Sequence, residues 1–228
     1  MQQRHVYWKY VLSSVLSSLV SLLIVSCGAL VTSAPKITAT GSTLIKQPYS
    51  TPSAAQVLYD QPLTQASAGW ASNPACSFSS AGLDVQPQGG QAYICLAPLT
   101  PPSDVSVTVT VQQIRGSVQH AYGIVFRHSA PHNYDFFGID SHGHFTLTIV
   151  VNDVKHVVLP FTASKVIHQG LNAVNELQVI VKGQQVTLLI NGTPVGQATL
   201  SAFARGGVGL RGIDNGHVLF RHLVIAAV

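Results

Sequence analysis

The chain has 228 residues, 46% of them hydrophobic and 9% charged, with 12 Lys and Arg against 8 Asp and Glu and a pI of about 9.1. That basic balance sits outside the body of the chain, because Arg4, Lys9, Lys36 and Lys46 all precede Asp60, the first acidic residue. From Asp60 onward positive and negative residues balance, which leaves no basic stripe to supply phosphate affinity and argues against a nucleic-acid partner.

The first element is a leader. Val11 to Val31 carries no charge, follows Arg4 and Lys9, and contains Ile24-Val25-Ser26-Cys27. A positive n-region, an apolar helical h-region and a small residue before a cysteine are the requirements of a bacterial lipoprotein signal peptide ending at residue 27. An uncleaved signal anchor is the alternative, since the run is just long enough to cross a bilayer. Under either reading Arg4 and Lys9 stay inside and the rest of the chain works outside the cytoplasm, anchored to the membrane, through lipid on Cys27 in the first case.

Residues 28–58 are rich in Ser, Thr, Ala and Pro without sustained apolar periodicity and read as a flexible tether. Residues 59–228 form the domain, enough chain for one substantial core. If Cys27 takes lipid, Cys76 and Cys95 are left as each other's partners in an oxidising compartment. Two buried free thiols are the alternative, and the spacing fits no zinc pattern.

Beyond Asp60 the pattern is that of strands. Val105, Val107, Val109 and Val111 alternate with Ser106, Thr108, Thr110 and Gln112, the period of a strand with one buried face. Further strands are expected over Ala121–His128, Tyr134–Asp140, Phe145–Val151, Lys155–Leu159, Glu176–Val181, Val186–Ile190, Pro194–Ala198, Val208–Arg211 and Val218–Ile225. Asn191-Gly192 is a strong type I′ hairpin signal, and Asn152-Asp153, Lys182-Gly183 and His142-Gly143 are turn candidates. Many short strands without helices between them specify an all-β fold of two packed antiparallel sheets, a jelly-roll sandwich.

Ala121 to Arg127, Asn133 to Asp140 and Gly143 to Leu147, followed by Asn175 to Val181, Leu188 to Gly192 and Gly206 to Leu210, together resemble bacterial extracytoplasmic domains of the concanavalin A-like (laminin G-type) superfamily. The resemblance runs from about Trp70 to the C-terminus and includes the segments around Cys76 and Cys95. It implies a jelly-roll sandwich that is often a carbohydrate-recognising or adhesive module and sometimes a glycosidase, and it assigns no functional residue.

Catalytic signals are missing. Glu176 is the only glutamate, whereas glucanases on such a sandwich carry a Glu-x-Asp-x-Glu type strand for nucleophile and acid. Asp135 and Asp140 are an odd number of residues apart, so a regular strand sends them to opposite faces. Asp140, His142 and His144 alternate like metal ligands, but a hairpin at Gly143 would make them diverge, and a polar turn is the plainer reading. Gly207-Val-Gly209-Leu-Arg-Gly212 matches a dinucleotide fingerprint only formally, because no helix follows.

A binding surface remains. With Phe137 and Ile139 in the core, Tyr134, Phe136 and Asp140 line the outer side of the sheet and Arg127 joins them, an aromatic platform with hydrogen-bonding groups that suits a sugar ring. Trp70, the sole tryptophan after the leader, is expected to pack in the core. The expected function is therefore a membrane-anchored, non-enzymatic module that binds glycan or another surface polymer. A structural or protein-interaction module of the envelope is the alternative, and a glycosidase a more distant one. No cofactor is expected, with bound calcium left open.

Overall fold

Alternation along Val105, Val107, Val109 and Val111 turns all four valines into the interior, as a two-residue side-chain period requires. The computed structural model describes residues 55–67, 69–70, 74–89, 91–213 and 215–228. The leader, the helix expected in it, Cys27, and the tether up to residue 54 lie outside the described residues.

Strands make up all the regular secondary structure described. In chain order they are β1 Gln56–Gln61, β2 Cys76–Ser79, β3 Gly82–Val85, β4 Ala92–Leu96, β5 Val105–Arg115, β6 Tyr122–Ala130 and β7 Asn133–Ile139. They continue as β8 His144–Val151, β9 Val154–Ala163, β10 Val174–Lys182, β11 Gln185–Ile190, β12 Thr193–Thr199, β13 Gly207–Ile213 and β14 His217–Ala227. The first sheet has the order β12-β11-β10-β5-β14-β3-β2, with β1 also paired to β14, and the second has β4-β13-β6-β7-β8-β9.

Every neighbouring pair in both sheets is antiparallel. Asn191 and Gly192 both have positive φ, at 50° and 74°, as a type I′ turn demands.

The sheets pack face to face over one apolar core. Val107, Val109, Leu177, Val179 and Phe220 contribute from the first sheet, and Ile124, Phe126, Phe137, Ile139 and Leu210 from the second. A buried polar chain also spans the layers at one end. Ser141 Oγ donates to Gln113 Oε1 on β5 and sits 3.0 Å from Tyr122 Oη on β6. Burial pushes the Tyr122 phenol up to about 12, while its bond to Ser141 pulls the other way.

A disulfide joins Cys76 on β2 to Cys95 on β4, with 5.9 Å between their Cα atoms. Since β2 and β4 are edge strands of different sheets, the bond staples the two layers together along one side. Trp70 packs against the core edge-on to Phe78 and donates Nε1–H to Tyr59 Oη at 2.9 Å.

Two expectations change. Strand β1 begins at Gln56, inside the stretch assigned to the tether, with Gln56 opposite Ala227 and Val57 opposite Ala226. Its side chains are mostly exposed and only Tyr59 packs inward, so backbone pairing holds it without an alternating pattern to announce it. Glu176, expected as the first residue of its strand, stands third in β10, after Val174 and Asn175, and is exposed.

Candidate functional site

The outer face of the second sheet carries a small apolar cluster of its own, formed by Val125 on β6, Tyr134 and Phe136 on β7 and Val150 on β8, with Ile94 and Ala121 packed beside it. Strand parity requires this: Phe137 and Ile139 are fully buried between the sheets, so Tyr134 and Phe136 emerge on the other side.

The two rings are a floor and not an open platform. Phe136 is 1% exposed, because the guanidinium of Arg211 on β13 lies 4.3 Å from its ring centroid. Its ring also extends over Gly138, where a Cβ would meet Phe136 Cζ at 2.4 Å. Tyr134 is covered by the His128 ring, stacked at 6.1 Å.

Above this floor is a cavity of about 330 Å3, the size of a small-ligand site. Thr146 and Thr148 on β8 continue the floor beside Phe136, since Thr148 pairs with Phe136 and Thr146 with Gly138. Arg211 forms one wall, and Lys155, Val157 and Phe161 on β9 form the other. Gln119, His120 and Ala121 close one end.

Val157 and Phe161 are 55% and 50% exposed, large apolar surfaces turned to water where a partner would rest. The polar groups are partly unsatisfied. Thr146 Oγ1 donates to Leu159 O at 2.8 Å, whereas Thr148 Oγ1 and Arg211 Nε are buried without a hydrogen-bond partner. Burial pulls Arg211 below the ordinary guanidinium value, with Tyr134 opposing the shift.

On the same face a second depression of about 540 Å3 runs from Ile94 past Tyr134 and His128 to His132 and Asp153. Burial lowers the His128 imidazole from its usual value.

Of the four residues expected to line the outer face, Tyr134 and Phe136 do so. Arg127 does not. It has a φ of 50° at a bulge between Phe126 and Ala130, which breaks strand parity and turns its side chain between the sheets. There it stands 3.5 Å from Asp135 Oδ2 and donates to the carbonyls of Leu200 and Gly183.

Asp140 is displaced for a different reason, lying just past the end of β7. Its carboxylate accepts from His144 N at 2.8 Å and faces His144 Nδ1 at 3.1 Å, so it closes the β7–β8 turn. The rings of His142 and His144 stack at 5.4 Å, and no metal-binding cluster occurs among the described residues.

Arg211, Thr146, Thr148, Lys155 and Phe161 were not anticipated. The threonines had a signal, because Thr146-Leu147-Thr148 alternates around a core leucine. Arg211 was hidden in a glycine-rich strand whose small residues admit neighbours: a Cβ on Gly209 would lie 2.6 Å from Ile94 Cγ2.

No protein-family model matches the sequence, and no curated protein is significantly similar to it. Solved structures do match. The carbohydrate binding module CBM66 from Bacillus subtilis superposes with a TM-score of 0.61 at 16% identity, covering 70% of this chain and 96% of that one.

The domain has the two-sheet β-sandwich fold of such structures. A Bacillus subtilis protein of unknown function with a galectin-like fold matches this sandwich with a TM-score of 0.58 at 14% identity, over 75% of this chain and 96% of its own. A GH43 protein from Bacillus licheniformis matches at 0.53 and 12% identity, over 74% of this chain and 39% of its own. At these identities the likeness concerns the fold alone, which carries both binding modules and hydrolase-associated domains.

Proposed function

We propose that the domain is a glycan-binding module that does not hydrolyse its ligand, held outside the cytoplasm by lipid on Cys27. The observation that carries this reading is the outer-face cavity, where apolar surface from Val157 and Phe161 faces Thr148 and Arg211 with unused hydrogen-bonding capacity. A sugar ring presents a matching pair of surfaces, an apolar C–H face and a rim of hydroxyls. The fold shared with CBM66, described as a carbohydrate binding module, supports the same reading.

Absence of hydrolysis is inferred from the cavity lining, which includes no Asp or Glu, while most glycoside hydrolases flank the scissile bond with two carboxyl groups. Asp135 is shut between the sheets against Arg127, and Glu176 belongs to the opposite sheet.

A glycan array followed by calorimetry on the strongest hits tests the proposal. Phe161→Ala and Thr148→Val should each weaken binding by ~1 to 3 kcal/mol through lost burial or an unmade hydrogen bond. New reducing ends on incubation would overturn the non-enzymatic part. A protein-interaction role is favoured by one observation, the exposed apolar residues of edge strand β9. Val154→Lys, on that strand but outside the cavity, would disrupt such a contact and leave sugar binding intact.

A further inference from the structure

We propose that the sugar held in this cavity is anionic, with a carboxylate or sulfate ester seated between Arg211 and Lys155; this rests on the glycan-binding reading above. Arg211 is set apart from the arginines that have oxygen partners. Arg127 donates to Leu200 O, Arg115 to Gln86 Oε1 and Arg221 to Ala81 O. The Arg211 guanidinium lies over the face of Phe136, with Tyr134 near enough to act on it electrostatically, and its Nε is buried with no hydrogen-bond partner among the described residues.

A guanidinium taken out of water without a counter-charge is costly. Stacking on an aromatic ring offsets part of that cost, and it leaves the planar fork of N–H donors free to grip a carboxylate or sulfate with two parallel bonds.

Lys155 supplies the second charge. It is exposed on β9, without a carboxylate partner among the described residues, and lines the same cavity as Arg211. Their strands are four positions apart in the sheet order, and Lys155 is in register with Tyr134 through Val150 whereas Arg211 is in register with Gly138 through Gly123, so their backbones stand ~19 Å apart across the sheet and ~13 Å apart along it. Two long side chains reaching inward across that span leave room for about one sugar ring.

Among the described residues no Asp or Glu lines the cavity to answer these charges, and five of the aspartates are engaged elsewhere. Asp60, Asp84, Asp140 and Asp153 each face a histidine, and Asp135 faces Arg127. A neutral sugar could accept hydrogen bonds here but would leave both charges uncompensated, whereas an anionic one supplies the missing partner and keeps its C–H face for Val157 and Phe161.

Calorimetry on the folded domain with oligogalacturonate and oligoalginate, each beside its carboxyl-reduced counterpart, and with dextran sulfate beside dextran, tests the inference. An anionic form should bind at least about tenfold tighter than its neutral counterpart, a margin of ~1.4 kcal/mol. The margin should shrink at high salt and shrink in both Arg211→Gln and Lys155→Gln. The exposed Lys155 variant keeps the test valid if the Arg211 variant fails to fold. A preference for the uronates assigns a carboxylate, and a preference for dextran sulfate assigns a sulfate ester.

Equal binding of charged and neutral forms overturns the charge inference and leaves the glycan reading standing. So does a preference for the anionic form that survives both substitutions. Binding of no sugar on these oligomers or on a broad array of charged and neutral glycans removes both readings together.

Discussion

Arg127 Nη1 stands 3.5 Å from Asp135 Oδ2 in the space between the two sheets, with both side chains buried. Desolvation makes such a pair sensitive to the loss of either partner. Arg127→Met should therefore destabilise the domain by ~3 to 5 kcal/mol by stranding a buried carboxylate, and replacing both residues with apolar ones should cost far less. Urea denaturation of the single and double variants measures the difference.

The same pair gives a pH signature. Burial pushes the Asp135 carboxyl from 3.8 up to about 6, against the pull of Arg127. Between those values the folded protein keeps a proton that the unfolded chain has released, so this group's contribution to stability falls as pH rises from about 4 to about 6 and is flat above. Asp135→Asn should remove that slope. Denaturation midpoints across this range that show the same slope in wild type and variant would refute the assignment.

The Cys76–Cys95 bond joins edge strands of different sheets and closes a loop with a sequence separation of 19, which in a chain-entropy account stabilises by ~3 kcal/mol. Non-reducing peptide mapping should recover the linked peptides. The double Ala variant should unfold at lower denaturant with the sandwich otherwise intact.

What the sequence revealed and what it concealed follow from the same rule. Where a strand buries one face, as with Val105 to Val111, alternation announces it; β6 and β7, buried on both faces, and β9, mostly exposed, were legible instead from short runs of strand-favouring residues set between turns. Strand β1 is held by backbone pairing to β14 at an edge, and β2, β3 and β4 have only four or five residues each, too few to display a period.

At the site, parity correctly placed Tyr134 and Phe136 outward and Phe137 inward. It failed at Arg127 because a bulge with positive φ at that residue reverses the side chain's direction, and nothing in the local residue types signals it. Arg211 was illegible because its role depends on β13 lying beside β6, a pairing distant in sequence.

Lipidation at Cys27 is checked most directly on protein extracted from membranes. Mass spectrometry should find a mature chain that begins at a diacylated Cys27, and Cys27→Ala should leave an unmodified precursor. An N-terminus at Met1 would favour the signal-anchor alternative.

Gly138 controls the height of the cavity floor. A methyl group there would sit 2.4 Å from Phe136 Cζ and 2.7 Å from Cε1, with the Tyr122 carbonyl oxygen at 3.2 Å behind it. The ring must then lift off the sheet, and Arg211, stacked at 4.3 Å on its other face, must move with it into the cavity. Gly138→Ala should accordingly cost ~1 to 3 kcal/mol of stability as an overpacking change, and it should weaken sugar binding by about tenfold or more, since a displacement of this kind disturbs both the apolar floor and the guanidinium. Adding Phe136→Leu to Gly138→Ala should recover most of the stability, because the shorter side chain vacates the space the methyl occupies. It should not recover binding, because Arg211 would have lost the ring that holds it. Calorimetry and denaturation on the same three proteins separate the effects. Full binding by Gly138→Ala would show that the site does not depend on the Phe136 floor.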